Sequence, residues 1–146
     1  MISLVLPYPP SVNQLYRNVA GRGRVKTDRY KTWLRAAGNE LLATPPGDRA
    51  PIIGPYILNV LAGRPDKRRR DLDNLLKATS DLLVKHGLID GDHLAVSVTV
   101  AWSEQVDPGR ALVFVWPYCA TRAAMRKSAP LEDVPEGEQF KKMRLQ

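Results

Sequence analysis

The sequence predicts an α+β fold, a mixed β-sheet carrying two helices in the order β-α-β-α-β-β. Three observations lead there. Two segments repeat apolar residues at helical spacing, four short apolar runs are bounded by proline and glycine, and no internal repeat is present. With 146 residues the chain fits one domain with its own core. One β-α-β crossover plus a closing hairpin would lay both helices on one side of the sheet. A sheet covered on one face only suits a partner subunit on the other, so a dimer is expected.

The elements follow in order. Residues 2–6 read as a strand, ended by Tyr8-Pro9-Pro10, whose fixed φ angles and missing donors exclude helix and central sheet. Residues 17–27 hold Gly21, Gly23 and four basic residues, and read as a loop or loose hairpin. Asp28 is a candidate cap for a helix running to about Ala43, with Tyr30, Trp33, Leu34, Ala37, Leu41 and Leu42 near one face. Thr44 to Pro55 carries four prolines and two glycines and is a connection. Residues 56–62 form a second strand, closed by Gly63 and Pro65.

The second helix has the clearest signal. Leu72, Leu75, Leu76, Thr79, Leu82, Leu83 and His86 mark one stripe, and Gly87 stands where a left-handed terminating residue belongs, followed by apolar Leu88. Asp90-Gly91-Asp92 reads as a turn. Leu94, Val96, Val98, Val100 and Trp102 alternate as a half-buried strand, and after a Pro108-Gly109 turn residues 111–116 read as its antiparallel neighbour. Residues 1–119 therefore make the domain. Residues 120–146 form a charged tail, partly helical or disordered.

Charge is distributed unevenly. Residues 1–70 hold 13 Lys/Arg against four Asp/Glu, and residues 71–107 hold two against seven. The net charge of +7 suggests a polyanionic partner such as nucleic acid. The acidic reversal asks for negative charge beside a negative ligand, and a bound metal reconciles the two. The lone Cys119 excludes an internal disulfide and points to a reducing cytoplasm. No apolar stretch is long enough for a membrane span, and the first residues are too short for a signal-peptide core.

Chemistry concentrates in Arg64-Pro-Asp-Lys67-Arg68-Arg69-Arg70-Asp71-Leu72-Asp73-Asn74. In a regular helix Asp71 and Asp73 would lie about 200° apart, whereas on extended chain they face the same way. If they act together, the chain is still extended or only entering its first turn at Asp71. Converging carboxylates repel unless a cation joins them, and Mg²⁺ takes hard oxygen ligands of this kind. Asp92 completes the cluster if its turn folds back, with Asp90 as the alternative. Lys77, one turn beyond Asp73, could reach a phosphate or orient water. Lys67, Arg68, Arg69 and Arg70, with Arg17, Arg22, Arg24 and Lys26, would hold phosphates around the acidic centre.

Plainer readings exist for the same residues. Asp71 with Asn74 could be only a helix cap, and Asp73, Lys77, Asp81 and Lys85 only a ladder of surface ion pairs. The chain would then be a non-catalytic nucleic-acid-binding protein. A metal-dependent phosphatase or nucleotidyl transferase of small substrates is a third possibility.

Residues 65–77, then Asp81-Leu82-Leu83, Gly87-Leu88-Ile89 and Asp92, resemble the signature of RusA-type Holliday-junction resolvases. The opening Leu6-Pro-Tyr-Pro-Pro10-Ser-Val-Asn13, followed by Tyr16-Arg17, resembles that family too. The resemblance implies that Asp71, Asp73 and Asp92 are catalytic, metal-binding residues assisted by Lys77, with Mg²⁺ as cofactor and Mn²⁺ a possible substitute. It implies a homodimer that nicks two opposed strands of a four-way DNA junction, leaving 5′-phosphate and 3′-hydroxyl ends, in recombination and repair. A bacterial cytoplasm is the implied setting, and members of the family are often carried by prophages.

Overall fold

The computed structural model describes residues 1–118. A four-stranded mixed sheet is built from β1 (Ile2–Pro7), β4 (Tyr56–Ala62), β5 (Ala95–Trp102) and β6 (Arg110–Pro117). A separate two-stranded hairpin, β2 (Tyr16–Val19) and β3 (Gly23–Lys26), precedes the first helix, α1 (Asp28–Ala43). The second helix, α2 (Leu76–Lys85), joins β4 to β5.

The strand order is β1-β6-β4-β5. β4 runs parallel to β5 and antiparallel to β6, and β6 also pairs antiparallel with β1. The crossover through α2 is thus as expected, but the closing hairpin is not: β5 and β6 share no ladder. β6 reads Ala111-Leu-Val-Phe-Val-Trp116, an almost unbroken apolar run that suits a strand with neighbours on both sides. β5 takes the edge instead. Its Val96 and Val98 stay 52% and 44% exposed, so the predicted half-buried stripe is only partly covered.

Both helices cover the same face. Ile2, Leu4 and Leu6 of β1, Tyr56, Leu58 and Val60 of β4, and Ala111, Val113 and Val115 of β6 form one core with α1 and α2. The other face carries the alternate residues: Val5, Leu112, Leu61 and Ala101 share one row, and Phe114 stacks beside Trp116 with ring centroids 5.8 Å apart.

Local chemistry sets the helix ends. The cap of α1 is Thr27 rather than Asp28, its Oγ1 accepting from Tyr30 N and donating to Gln14 O at 2.6 Å, which also anchors the hairpin base. Asp28 lies in the first turn and pairs with Lys31. Leu42, expected on the buried face, is 56% exposed. α2 is preceded by a 3-10 turn, Asp73–Leu75. It ends as predicted at Gly87, where φ is +67° and the Gly87 and Leu88 amides close onto Val84 and Leu83 carbonyls. At the end of β4, a side chain on Gly63 would overlap the carbonyl oxygens of Val106 and Asp107, so only glycine fits there. The expected tail, residues 120–146, lies outside the described residues.

His86 closes the helix–helix seam. Its Nε2 is buried without a hydrogen-bond partner among the described residues, 2.9 Å from where a Cβ on Gly38 of α1 would stand. Burial, with the nearby Lys85 ammonium, lowers the imidazole's pKa below its ordinary value. The folded chain therefore binds this proton less readily than the unfolded one, whose His titrates near pH 6.5. Stability is fully present above about pH 6.5 and falls on acidification through the lowered folded value. Urea midpoints between pH 5 and 7.5 should show this slope, and His86→Gln should flatten it.

Candidate active site

The acidic residues singled out in the sequence sit around α2. Asp71 is exposed in irregular chain, while Leu72 already has helical angles and Asp73 opens the 3-10 turn. The backbone is therefore entering its first turn between the two carboxylates. Asp73 Oδ1 accepts from Asn74 N at 3.0 Å, and Asn74 Nδ2 approaches Asp71 Oδ2 only loosely, at 3.4 Å. The turn holding Asp73 packs against the Val12–Gln14 turn at the hairpin base.

Asp92 begins a second 3-10 turn, Asp92–Leu94, which packs on α2. Two tethers place it. Ile52 N donates to Leu88 O, and Gly54 N donates to Asp90 Oδ2 at 3.1 Å, so Asp90 braces the 44–55 connection. The Asp92 side chain is engaged elsewhere: its Oδ2 accepts from Lys77 Nζ at 2.9 Å. The buried Tyr56 hydroxyl lies 3.5 Å from the Asp92 carbonyl.

Lys77 is the centre of a chain of contacts. Its Nζ also meets Asp81 Oδ1 at 2.8 Å, and Asp81 Oδ2 accepts from the hydroxyl of the fully buried Tyr30 at 2.9 Å. The hydrogen bond to Asp81, then that to Asp92, holds the Lys77 ammonium in its charged form well beyond the ordinary lysine range. The same ammonium lowers the Asp92 carboxyl. Burial, and then Asp81, keep Tyr30 protonated as a donor. Lys77 and Asp92 are about half exposed, so their mutual pairing contributes at most about 1 kcal/mol to stability.

Among the described residues, no three acidic, histidine or cysteine side chains stand together so as to hold a metal ion. Within one subunit Asp92 is joined to Lys77 and Asp81, not to Asp71 and Asp73. In kind the donors suit a hard divalent cation: three exposed carboxylates, one of them already holding a cation in the form of Lys77 Nζ.

The expected DNA-binding cations fall into two groups. Lys67, Arg68 and Arg69 are exposed on the loop after β4, and Arg17 and Arg22 on the hairpin. Arg70 is instead engaged by Asp66 in a bidentate pair with its shorter contact at 2.7 Å, and lies 5.7 Å from the Tyr8 ring. Arg64 stacks on Trp102 at 4.3 Å, and Tyr8 stacks on Trp102 from a parallel ring. These contacts clamp both ends of the basic loop. Arg24 lies 4.6 Å over Tyr16, and Lys26 5.7 Å over Tyr30.

Two participants, Tyr30 and Asp66, escaped the sequence reading, which had Asp81 only as a member of an ion-pair ladder with Lys77. Asp81 is visible as the i+4 partner of Lys77, but its anchor, Tyr30, is 51 residues away and reads as core. Asp66 stands four residues before Arg70, a spacing that could have suggested the clamp. Tyr30→Phe should cost about 1–2 kcal/mol of stability, measured by urea unfolding, because only one hydrogen bond to a charged group is lost while Asp81 keeps Lys77.

A sequence model of the family described as Endodeoxyribonuclease RusA matches residues 7–115. Crossover junction endodeoxyribonuclease RusA of Escherichia coli (strain K12) is 34% identical over 111 residues, covering 74% of this chain and 88% of the relative. The protein of the same name from Enterobacteria phage 82 is 32% identical over 109 residues, covering 73% and 87%. Among the described residues no helix is long and apolar enough to cross a membrane. The acidic residues around α2 and the basic loop before them sit within the matched segment, which leaves out most of β1, and the chain belongs to the RusA family of endodeoxyribonucleases.

Proposed function

We propose that this protein is a metal-dependent endonuclease that resolves Holliday junctions, with Asp71, Asp73 and Asp92 holding Mg²⁺, or Mn²⁺ in its place. The single observation that carries the reading is the Lys77 ammonium bound to Asp92 at the foot of a helix that Asp71 and Asp73 precede. A divalent ion there would activate water and neutralise charge developing on the scissile phosphate. Such an ion would compete with Lys77 for Asp92, whose Oδ2 meets the ammonium. Asp81, braced by Tyr30, then keeps the ammonium nearby, where it can face a phosphate oxygen. Lys67, Arg68, Arg69, Arg17 and Arg22 supply exposed cations for the flanking phosphates, so affinity should fall steeply with salt.

A junction must be cut in two opposed strands, and one subunit carries one such site. The apolar sheet face opposite the helices, with Leu61, Leu112, Phe114 and Trp116, is proposed to pair with a second copy and set the spacing of two sites. The product ends would be 5′-phosphate and 3′-hydroxyl, and the setting a bacterial cytoplasm, in recombination and repair.

Two measurements test this. Asp73→Asn should lower Mg²⁺-dependent cutting of a synthetic four-way junction on the order of a hundredfold or more while leaving gel-shift affinity equal or tighter; cutting at the parental rate would end the metal reading. Phe114→Asp combined with Trp116→Asp should give a folded monomer by light scattering and circular dichroism, and uncouple the paired nicks. A dimer that survives this change would move the interface elsewhere.

A further inference from the structure

Beside Asp92 and Lys77 opens a cavity of about 360 Å³, between the hairpin, α1 and α2. Its walls are of three kinds. Leu34 and Val84 are apolar, Tyr16 and Tyr30 aromatic, and Lys26 and Lys85 bring ammonium groups. Val84 is 38% exposed, an apolar side chain left uncovered on a helix whose other branched and leucine residues are mostly buried. Asp81 and Asp92 share the single Lys77 ammonium, which offsets one of their two negative charges; with Lys26 and Lys85 the lining holds three cations against two carboxylates, a net charge of +1.

The volume lies at the small end of the range for pockets that enclose a single organic ligand, about 300–1,000 Å³, and is far too small for duplex DNA. Tyr30 and Leu34 lie behind the surface, but the exposed Val84 and the half-buried ring of Tyr16 suit a nucleobase, and lysines suit its phosphate. At a branch point the stack is already interrupted, so removing one nucleotide from it costs least there.

We propose that this cavity receives one unstacked nucleotide of the branched substrate, its base against Val84 and Tyr16 and its phosphate toward Lys26 and Lys85. The proposal rests on the junction-cutting reading of the neighbouring site. It makes the cavity a subsite that distinguishes a branch from a continuous duplex, by offering a place only to a base that can leave its stack.

The test is a cycle of protein and DNA changes read by binding without added metal. Full-length protein is titrated with intact four-way junctions and with junctions in which a single abasic residue is placed at each position within two nucleotides of the branch. At one position the abasic change should weaken binding about tenfold. Val84→Trp, which fills the cavity and leaves Asp71, Asp73, Asp92 and Lys77 unsubstituted, should weaken binding of the intact junction by a similar factor. It should also erase the difference between intact and abasic DNA. Val84→Phe serves as the second variant if the larger one fails to fold by circular dichroism. If the parent tolerates an abasic residue at every position, the subsite is overturned, while junction binding and cutting leave the endonuclease reading standing. Equal weakening of intact and abasic junctions by the filled variant would overturn it as well, since the cavity would then meet only backbone. If the parent neither binds nor cuts junctions better than linear duplex, the underlying reading falls first.

Discussion

Two carboxylates of this protein share one ammonium, and that sharing organises the acidic end of the molecule. Asp81 and Asp92 approach Lys77 Nζ at 2.8 and 2.9 Å from different elements. Without a cation between them, the two carboxylates would repel each other. The lysine is itself positioned from the core, because Asp81 accepts from the hydroxyl of Tyr30, a residue with no exposed surface. The site geometry therefore depends on the packing of α1 against α2, and that packing depends on small features such as Gly38 beneath the His86 ring.

The strand order explains how one crossover can serve chemistry on one side and an apolar surface on the other. With β6 inserted between β1 and β4, the central strands are the most continuously apolar, and β4 delivers the chain to the basic loop from the middle of the sheet. Gly63 at the end of β4 lies against the Val106 and Asp107 carbonyls, so the loop leaves the sheet in a fixed direction. Arg64 on Trp102 and Arg70 on Asp66 then hold its two ends. The cations between them, residues 67–69, remain exposed to solvent.

This division of labour among basic residues has a physical basis. An arginine that stacks on an aromatic ring or makes a bidentate carboxylate pair has given up most of its freedom, and the carboxylate also offsets its charge. Arg64 and Arg70 act chiefly on the protein itself in this conformation, and Arg24 covers Tyr16.

Much of this fold was legible from local pattern. The limits of α1 and β4, the stop at Gly87 and the strand at the amino terminus follow from periodicity and from residues with one permitted backbone geometry. The sequence also marked where chemistry lies, since a run of cations entering Asp71-Leu72-Asp73 needs no tertiary information to be noticed. Pairing was another matter. Nothing local says whether residues 111–116 lie beside β5 or between β1 and β4, because that choice is set by how much apolar surface each strand hides once the sheet is assembled. Thr27 outcompeted Asp28 as the cap because its hydroxyl could also reach Gln14. Likewise the partners of Lys77 and Arg70, and the cavity beside Asp92, arise from contacts across turns and across the two helices. Sequence by itself determined which residues are helical, which are extended and which carry charge. Only the tertiary structure decided which charges meet, because ion pairs and hydrogen bonds depend on distances that chain folding, not chain order, imposes.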